Sequence, residues 1–324
     1  MKLWRGFGRM KAAYIEQFSP QGNIKVGKIG LPELGDEEVS IKVAYAGMNP
    51  VDGKFADGRY SDYPHQFPII LGWEASGTIV ACGKKVVKWR KGDEVFVYCR
   101  KPILQWGSWA EYLNIRAEDV ALKPKNLSMA EAAAIPLAGL TAWQALFDKG
   151  RLKAGETVLI HAGAGGVGGF AIQWAKLHGA HVITTVSASK NTYVKQLGAD
   201  EAIDYQNADF VKEILKKHPQ GIDLVLDSMG GPTWKRSFEV LKPGGCLVSL
   251  REQPDANLSK KFQVRTEYLF VTPNAAQLKE IANLFEKGQA KLPHITELAL
   301  EQVNEGMEEI RKGHTTGKIV LKIG

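Results

Sequence analysis

One segment constrains this chain more than any other: Thr157-Val-Leu-Ile-His-Ala-Gly-Ala-Gly-Gly-Val-Gly-Gly169. An apolar, strand-like run enters a turn built almost wholly of glycine and alanine, and helical spacing follows at Val167, Phe170, Ala171, Trp174 and Ala175. The turn reads Ala162-x-x-Gly165-x-x-Gly168 with Gly163 beside the alanine, a variant of the dinucleotide fingerprint. Small residues are required where a strand reverses sharply, backbone approaches a pyrophosphate, and a helix packs close against its strand. The unbonded N–H groups of the helix start, backed by the helix dipole, then face the phosphates. Gly163, Ala164, Gly165, Gly166, Val167 and Gly168 are therefore candidate cofactor-binding residues.

The surroundings of this turn divide the chain. Residues 10–135 read as mostly β, with segments such as Val39–Tyr45, Ala75–Ala81, Asp93–Tyr98 and Trp109–Ile115 separated by Gly, Pro and Asp. Beyond Ala130 the period changes. Strand-like Thr157–His161, His181–Val186, Ile222–Asp227, Gly245–Leu250 and Glu267–Val271 alternate with helical Gly168–Leu177, Lys190–Leu197, Asp209–Lys217 and Thr233–Leu241. Such alternation predicts an α/β fold with a doubly wound parallel sheet, whose strands are apolar because both faces are covered. Helices near Ala275–Lys287 and Leu300–Lys312 follow, and a last strand, Lys318–Ile323, is expected to return to the first domain.

Composition narrows the function classes. At 324 residues with 44% hydrophobic and 24% charged residues, the chain suits a globular protein of about two domains. The net charge of +7 is dispersed, with short groupings such as Lys216-Lys217-His218, so a nucleic-acid surface is not expected. No apolar run approaches the roughly 20 residues of a membrane span. Three separated cysteines, Cys82, Cys99 and Cys246, form no metal motif and fit a reducing, cytoplasmic setting. The basic leader, residues 1–9, lacks a secretory apolar core and reads as a start-site extension, with a short transit-like leader as the alternative.

Six further segments carry a resemblance. They are Met10-Lys-Ala-Ala, Gly47-Met-Asn-Pro-Val-Asp52, Leu71-Gly-Trp-Glu-Ala-Ser-Gly77, Gly92-Asp-Glu-Val95, Gly107-Ser-Trp-Ala-Glu-Tyr112 and Ala138-Gly-Leu-Thr-Ala-Trp143. With the glycine turn, they make the chain similar to the medium-chain dehydrogenase/reductase superfamily, and within it to the zinc-lacking quinone oxidoreductases and their enone-reductase relatives. The resemblance implies a GroES-like, mostly β catalytic domain over 1–136 and 274–324. It implies a Rossmann cofactor domain over 137–273. Zinc relatives hold their metal with Cys and His where this chain has Asn49 and Trp73, a poor ligand and a non-ligand, so no metal is expected there.

The cofactor follows from strand two of the sheet. An NAD site places a carboxylate about 20 residues past the glycines. This chain has Ser187, Ser189 and Lys190 instead, with Tyr205 beside them by resemblance, which suits the 2′-phosphate of NADPH. Ser189 is equally placed to cap the helix that follows. The resemblance further puts Thr141, Phe270 and Val271 near a nicotinamide, and Lys318 at the cofactor or cleft. Reduction of a quinone, or alternatively of an alkenal or enone double bond, needs donors to a developing oxyanion. Asn49, Tyr45, Tyr60 and Tyr63 are the candidates, with Asp52 and Glu74 as structural supports. A non-catalytic NADPH-binding protein, such as a redox sensor or a nucleic-acid-binding relative, is the remaining alternative. An apolar edge strand at Glu267–Val271 predicts a homodimer.

Overall fold

The structure is a computed structural model that describes residues 8–20, 24–313 and 316–324. Residues 1–7 of the basic leader lie outside the described residues, and Arg9 already belongs to the first strand. In chain order, β1 (Arg9–Ile15), β2 (Lys25–Gly30) and β3 (Glu38–Met48) lead into α1 (Pro50–Ala56). Then come β4 (His65–Ile70), β5 (Glu74–Cys82), β6 (Glu94–Tyr98), β7 (Leu104–Trp106), β8 (Tyr112–Arg116) and β9 (Val120–Leu122). Helices α2 (Met129–Ala133) and α3 (Pro136–Trp143) precede the alternating part. That part runs β10 (Thr157–Ile160), α4 (Gly166–Leu177), β11 (His181–Val186), α5 (Asn191–Gln196), β12 (Glu201–Asp204) and α6 (Phe210–Lys217). It continues through β13 (Ile222–Asp227), α7 (Gly231–Ser237), β14 (Leu241–Ser249), α8 (Ala256–Phe262) and β15 (Arg265–Tyr268). The chain ends with α9 (Ala275–Glu286), β16 (Ile295–Ala299), α10 (Val303–Lys312) and β17 (Lys318–Lys322).

The chain divides into two compact units. One runs to Leu137 and resumes over Thr272–Gly288 and His294–Gly324; the other comprises Ala138–Val271 with Gln289–Pro293. The first unit holds two sheets among the described residues, β2-β1-β4-β7 and β16-β17-β3-β5-β6-β9, with β8 paired to β3. β3 alternates Val39, Ile41 and Val43 into the core, the period-2 pattern of a half-buried strand. β17 pairs antiparallel with β3, joining Ile319 to Met48 and Lys322 to Tyr45. The last strand thus completes the sheet of the first unit.

The second unit carries one parallel sheet in the order β12-β11-β10-β13-β14-β15. Its central strands are fully buried runs, Val158-Leu159-Ile160 on β10 and Leu224-Val225-Leu226 on β13. The order reverses between β10 and β13, the switch point of a doubly wound sheet, where ligands bind beyond the strand ends.

The edge strand differs from expectation. β15 spans Arg265–Tyr268 rather than Glu267–Val271, because it pairs with Cys246–Ser249 of β14 and stops when that partner stops. Its residues Arg265, Thr266, Glu267 and Tyr268 are half-buried and polar, so the edge is not the apolar one expected. Short β12, with acids at both ends, and β16 carry too little apolar alternation to stand out in the sequence.

Candidate functional site

In the first unit, the Asn49 segment folds into a buried polar cluster. Asn49 caps α1 with extended backbone, Pro50 opens the helix, and Asp52 at its third position reaches back to accept from Asn49 N at 2.8 Å. The other oxygen of Asp52 accepts from Gly72 N at 3.0 Å. The Asn49 side chain donates to Glu74 Oε1 at 2.8 Å, and the second Glu74 oxygen accepts from Leu137 N at 2.7 Å. Lys318, from the far end of the chain, donates to Glu74 Oε1 at 2.6 Å and Asn49 Oδ1 at 2.5 Å. All four side chains are buried, Asp52 and Glu74 completely.

The electrostatics follow from that burial. Desolvation pushes the Asp52 carboxyl up to about 8, against the pull of its two backbone donors and of Lys318. Cys99, whose thiol points at Gly72 O, is pushed up to about 12 by burial, and burial raises Cys246 to about 11. Neither thiol is a nucleophile at neutral pH.

The four predicted catalytic residues separate. Asn49 sits in the charged cluster beside Lys318. Tyr60 and Tyr63 pack on Phe55 at 4.9 and 5.7 Å between ring centroids, and Phe55 lies 4.8 Å from Trp73. The Tyr63 hydroxyl donates to Lys101 O at 2.6 Å. Tyr45 is elsewhere: it pairs with Ser76 and Lys322, packs against Ala130, Ala133 and Ala134 at α2, and is held protonated by burial and by Glu297. Lys318, expected at the cofactor or cleft, lies beside Asn49 and Glu74.

In the second unit, the glycine turn joins β10 to α4. Ala162 takes φ 56, a left-handed turn conformation that costs a non-glycine residue about 1 kcal/mol. A Cβ on Gly163 would lie 2.1 Å from Thr184 Oγ1, and one on Gly168 would lie 2.3 Å from Ala162 O. Those glycines let α4 sit hard against its strand, and Gly165, Gly166 and Val167 at the helix start remain partly exposed. Ser187, Ser189 and Lys190 follow the end of β11, and Tyr205 follows the end of β12, with its N–H on Val186 O. Glycine turn and hydroxyl–lysine segment thus share the carboxyl edge of one sheet. Ser189 does not cap α5; the turn tightens into a 3₁₀ segment, and the Ser187 and Ser189 hydroxyls lie 3.3 Å from each other. Thr141 is buried on α3, and Phe270 and Val271 follow β15 in this same unit.

Two buried polar residues here escaped the sequence reading. His161 immediately follows β10, with Nδ1 3.0 Å from Thr185 Oγ1 and Nε2 2.9 Å from Ser237 Oγ, and burial lowers it to about 4. Ser237 spends its own proton on Thr233 O, so the imidazole donates through Nε2 and is neutral. Asp227 ends β13 and accepts from Met229 N, Gly230 N and Ser249 Oγ. Each position reads locally as the polar end of an apolar strand, without a motif to mark it.

Comparison with known proteins accords with this architecture. The alcohol dehydrogenase GroES-like domain model matches residues 35–125, and a zinc-binding dehydrogenase model matches residues 197–321. The 2-methylene-furan-3-one reductase of Solanum lycopersicum is 35% identical over 94% of this chain and 77% of its own. The NADPH-dependent alkenal/one oxidoreductase of Arabidopsis thaliana is 34% identical over 94% and 78%. The quinone oxidoreductase of Coxiella burnetii superposes with a TM-score of 0.89, at 32% identity, covering 98% of this chain and 100% of the other. With its GroES-like β unit, its doubly wound parallel sheet and these relatives, the chain belongs to the quinone and alkenal/enone oxidoreductases of the medium-chain dehydrogenase/reductase superfamily.

Proposed function

We propose that this nicotinamide-dependent oxidoreductase is an NADPH-dependent, zinc-independent reductase of quinones, acting in the cytoplasm as a homodimer. The observation that carries the reading is the carboxyl edge of the parallel sheet. Gly163 and Gly168 keep α4 close to β10 while the partly exposed start of α4 offers N–H groups to a pyrophosphate. Ser187, Ser189, Lys190 and Tyr205 take the place of a ribose-binding carboxylate and offer hydroxyls and a cation to a 2′-phosphate. When bound, the dinucleotide supplies a hydride. In this reading Thr141, Phe270 and Val271 flank its nicotinamide end.

The first unit supplies the rest. Asn49 is held by Glu74 and Lys318, and the partly exposed ring of Tyr60, backed by the buried Phe55 and Trp73, suits contact with a flat, electron-poor ring. Zinc independence rests on the donor set: where relatives use Cys and His, Asn49 and Trp73 stand, and the ammonium of Lys318 neutralises Glu74. The cytoplasmic reading rests on three free cysteines, two of them buried. The dimer rests on β15, which pairs only with β14 among the described residues and leaves one edge open. Sedimentation velocity at micromolar concentration supports the dimer if a two-chain species dominates and removes it if only monomer sediments.

Reduction of alkenals or enones is the second reading, favoured by the likeness to the Arabidopsis enzyme. NADPH oxidation measured with a panel of ortho- and para-quinones beside short 2-alkenals and enones, with NADH as control and a chelator present, separates the two. Turnover on quinones supports the first reading; turnover on alkenals alone replaces it with the second. Loss of activity with the chelator overturns zinc independence.

A further inference from the structure

His181 opens β11, Glu201 opens β12 and His218 closes α6. Ile183 pairs with Glu201, and residues two apart on a strand share a face, so His181, Ile183, Glu201 and Ile203 point to one side of the sheet. α6 covers that side, because its Phe210, Val211 and Ile214 share a hydrophobic cluster with Ile183 and Ile203. The helix runs back from the end of β12 toward the start of β13, which delivers His218 to the strand starts. One oxygen, Glu201 Oε1, lies 2.9 Å from His181 Nε2 and 3.0 Å from His218 Nε2.

The remaining charges around the group are few. Lys217 Nζ lies 2.7 Å from Glu201 Oε2, and Asp200 Oδ2 lies 3.7 Å from His181 Nδ1. Asp200 is itself held by Lys176 and by the amide of Val182.

We propose that His181, Glu201 and His218 form a site for a zinc-class divalent cation, with water completing the shell. Two imidazoles and a carboxylate are donors that zinc accepts. Tetrahedral zinc with bonds of about 2.0–2.1 Å sets its donors roughly 3.3 Å apart, so each nitrogen–oxygen separation here opens by only a few tenths of an ångström. The donor atoms already lie within 4.8 Å of one another. Side-chain exposures of 39% at His181 and 23% at His218 leave room for water and for entry of the ion. Lys217 holds the other oxygen, Glu201 Oε2, and leaves Oε1 to the ion. The site lies at the amino ends of β11 and β12, whereas the glycine turn and Ser187–Lys190 lie at the carboxyl ends of their strands. It is therefore a second location, apart from the Asn49–Trp73 positions where no metal was expected, and it clips the end of α6 to the sheet.

The test is binding of zinc chloride to untagged, chelator-stripped protein, read by calorimetry and by the thermal unfolding midpoint. The site predicts one equivalent bound per chain and a raised midpoint, since a ligand that binds only the folded state stabilises it. It also predicts affinity reduced ~10-fold or more in His218→Gln and in Glu201→Gln. The His218 variant, at a helix end, keeps the test open if the Glu201 variant fails to fold. Cobalt(II) chloride should give the visible absorption of a four-coordinate site. Absence of one-to-one binding, unchanged affinity in both His181→Gln and His218→Gln, or equal binding of magnesium chloride would each overturn the proposal. The readout is independent of reductase activity.

Discussion

Lys318 and Glu74, 244 residues apart in the chain, bring an ammonium and a carboxylate to 2.6 Å inside the first unit, with side-chain exposures of 4% and 0%. A pair so buried owes its stability to complete satisfaction. Glu74 spends its second oxygen on Leu137 N, and Lys318 also reaches Asn49 and Met48 O.

Removing one partner of this pair should therefore destabilise more than removing both. Lys318→Met strands Glu74 and should cost about 3–5 kcal/mol, whereas Lys318→Met with Glu74→Gln should recover part of that loss. Urea unfolding of wild type, both single variants and the double variant measures the coupling. Additive losses would show that the pair is not coupled.

Asp52 should make stability fall as pH rises. Its folded pKa, near 8, stands above the ordinary 3.8, so between those values the folded state holds a proton that the unfolded state has lost. Stability from this group is full below about pH 4 and drains as pH climbs toward 8, by at most about 1.4 kcal/mol per unit. Asp52→Asn removes that contribution to the slope. Denaturant titrations at pH 5 and pH 8 should give a flatter dependence in the variant than in wild type; the same slope in both would refute the assignment.

Gly163→Ala forces a Cβ against Thr184 Oγ1, whose hydroxyl donates to Ile160 O, so neither strand nor turn can yield cheaply. We expect a loss of about 1–3 kcal/mol in stability and at least tenfold weaker NADPH binding. Gly155→Ala is a useful contrast, since φ +81 strains it although open space surrounds it. Calorimetric titration of NADPH decides: similar affinity in Gly163→Ala and wild type would show that close packing at this turn is not needed for the cofactor.

Lys190→Ala should weaken NADPH by about tenfold and leave NADH little changed, because a single charge-assisted contact to phosphate is worth about 1.5 kcal/mol or more. Fluorescence titration of both cofactors reads the ratio. Equal losses would contradict the 2′-phosphate role.

Much of this architecture is local and so was legible. The strand–glycine–helix passage at Thr157–Leu177 needs only neighbours to define it, and β11 and β13 match their apolar runs residue for residue. The missing carboxylate after β11 and the Asn49 and Trp73 substitutions are also properties of single positions. Asp52 was legible as a structural support beside Asn49; its elevated pKa was not, since desolvation depends on everything packed around it.

What lay beyond reach is non-local. The edge of β15 is polar because its register on β14, not its own apolar content, sets which residues form the strand. Lys318 reads as one lysine among many near the end of the chain, and only the pairing of β17 with β3 carries it to Asn49 and Glu74. His181, Glu201 and His218 share no motif, and the fold joins them by laying α6 back across two parallel strands. Local chemistry thus fixes which turns, caps and strands this chain can make. Where its buried charges meet is decided by contacts between segments hundreds of residues apart, because only a closed core can make an unpaired charge costly enough to demand its partner.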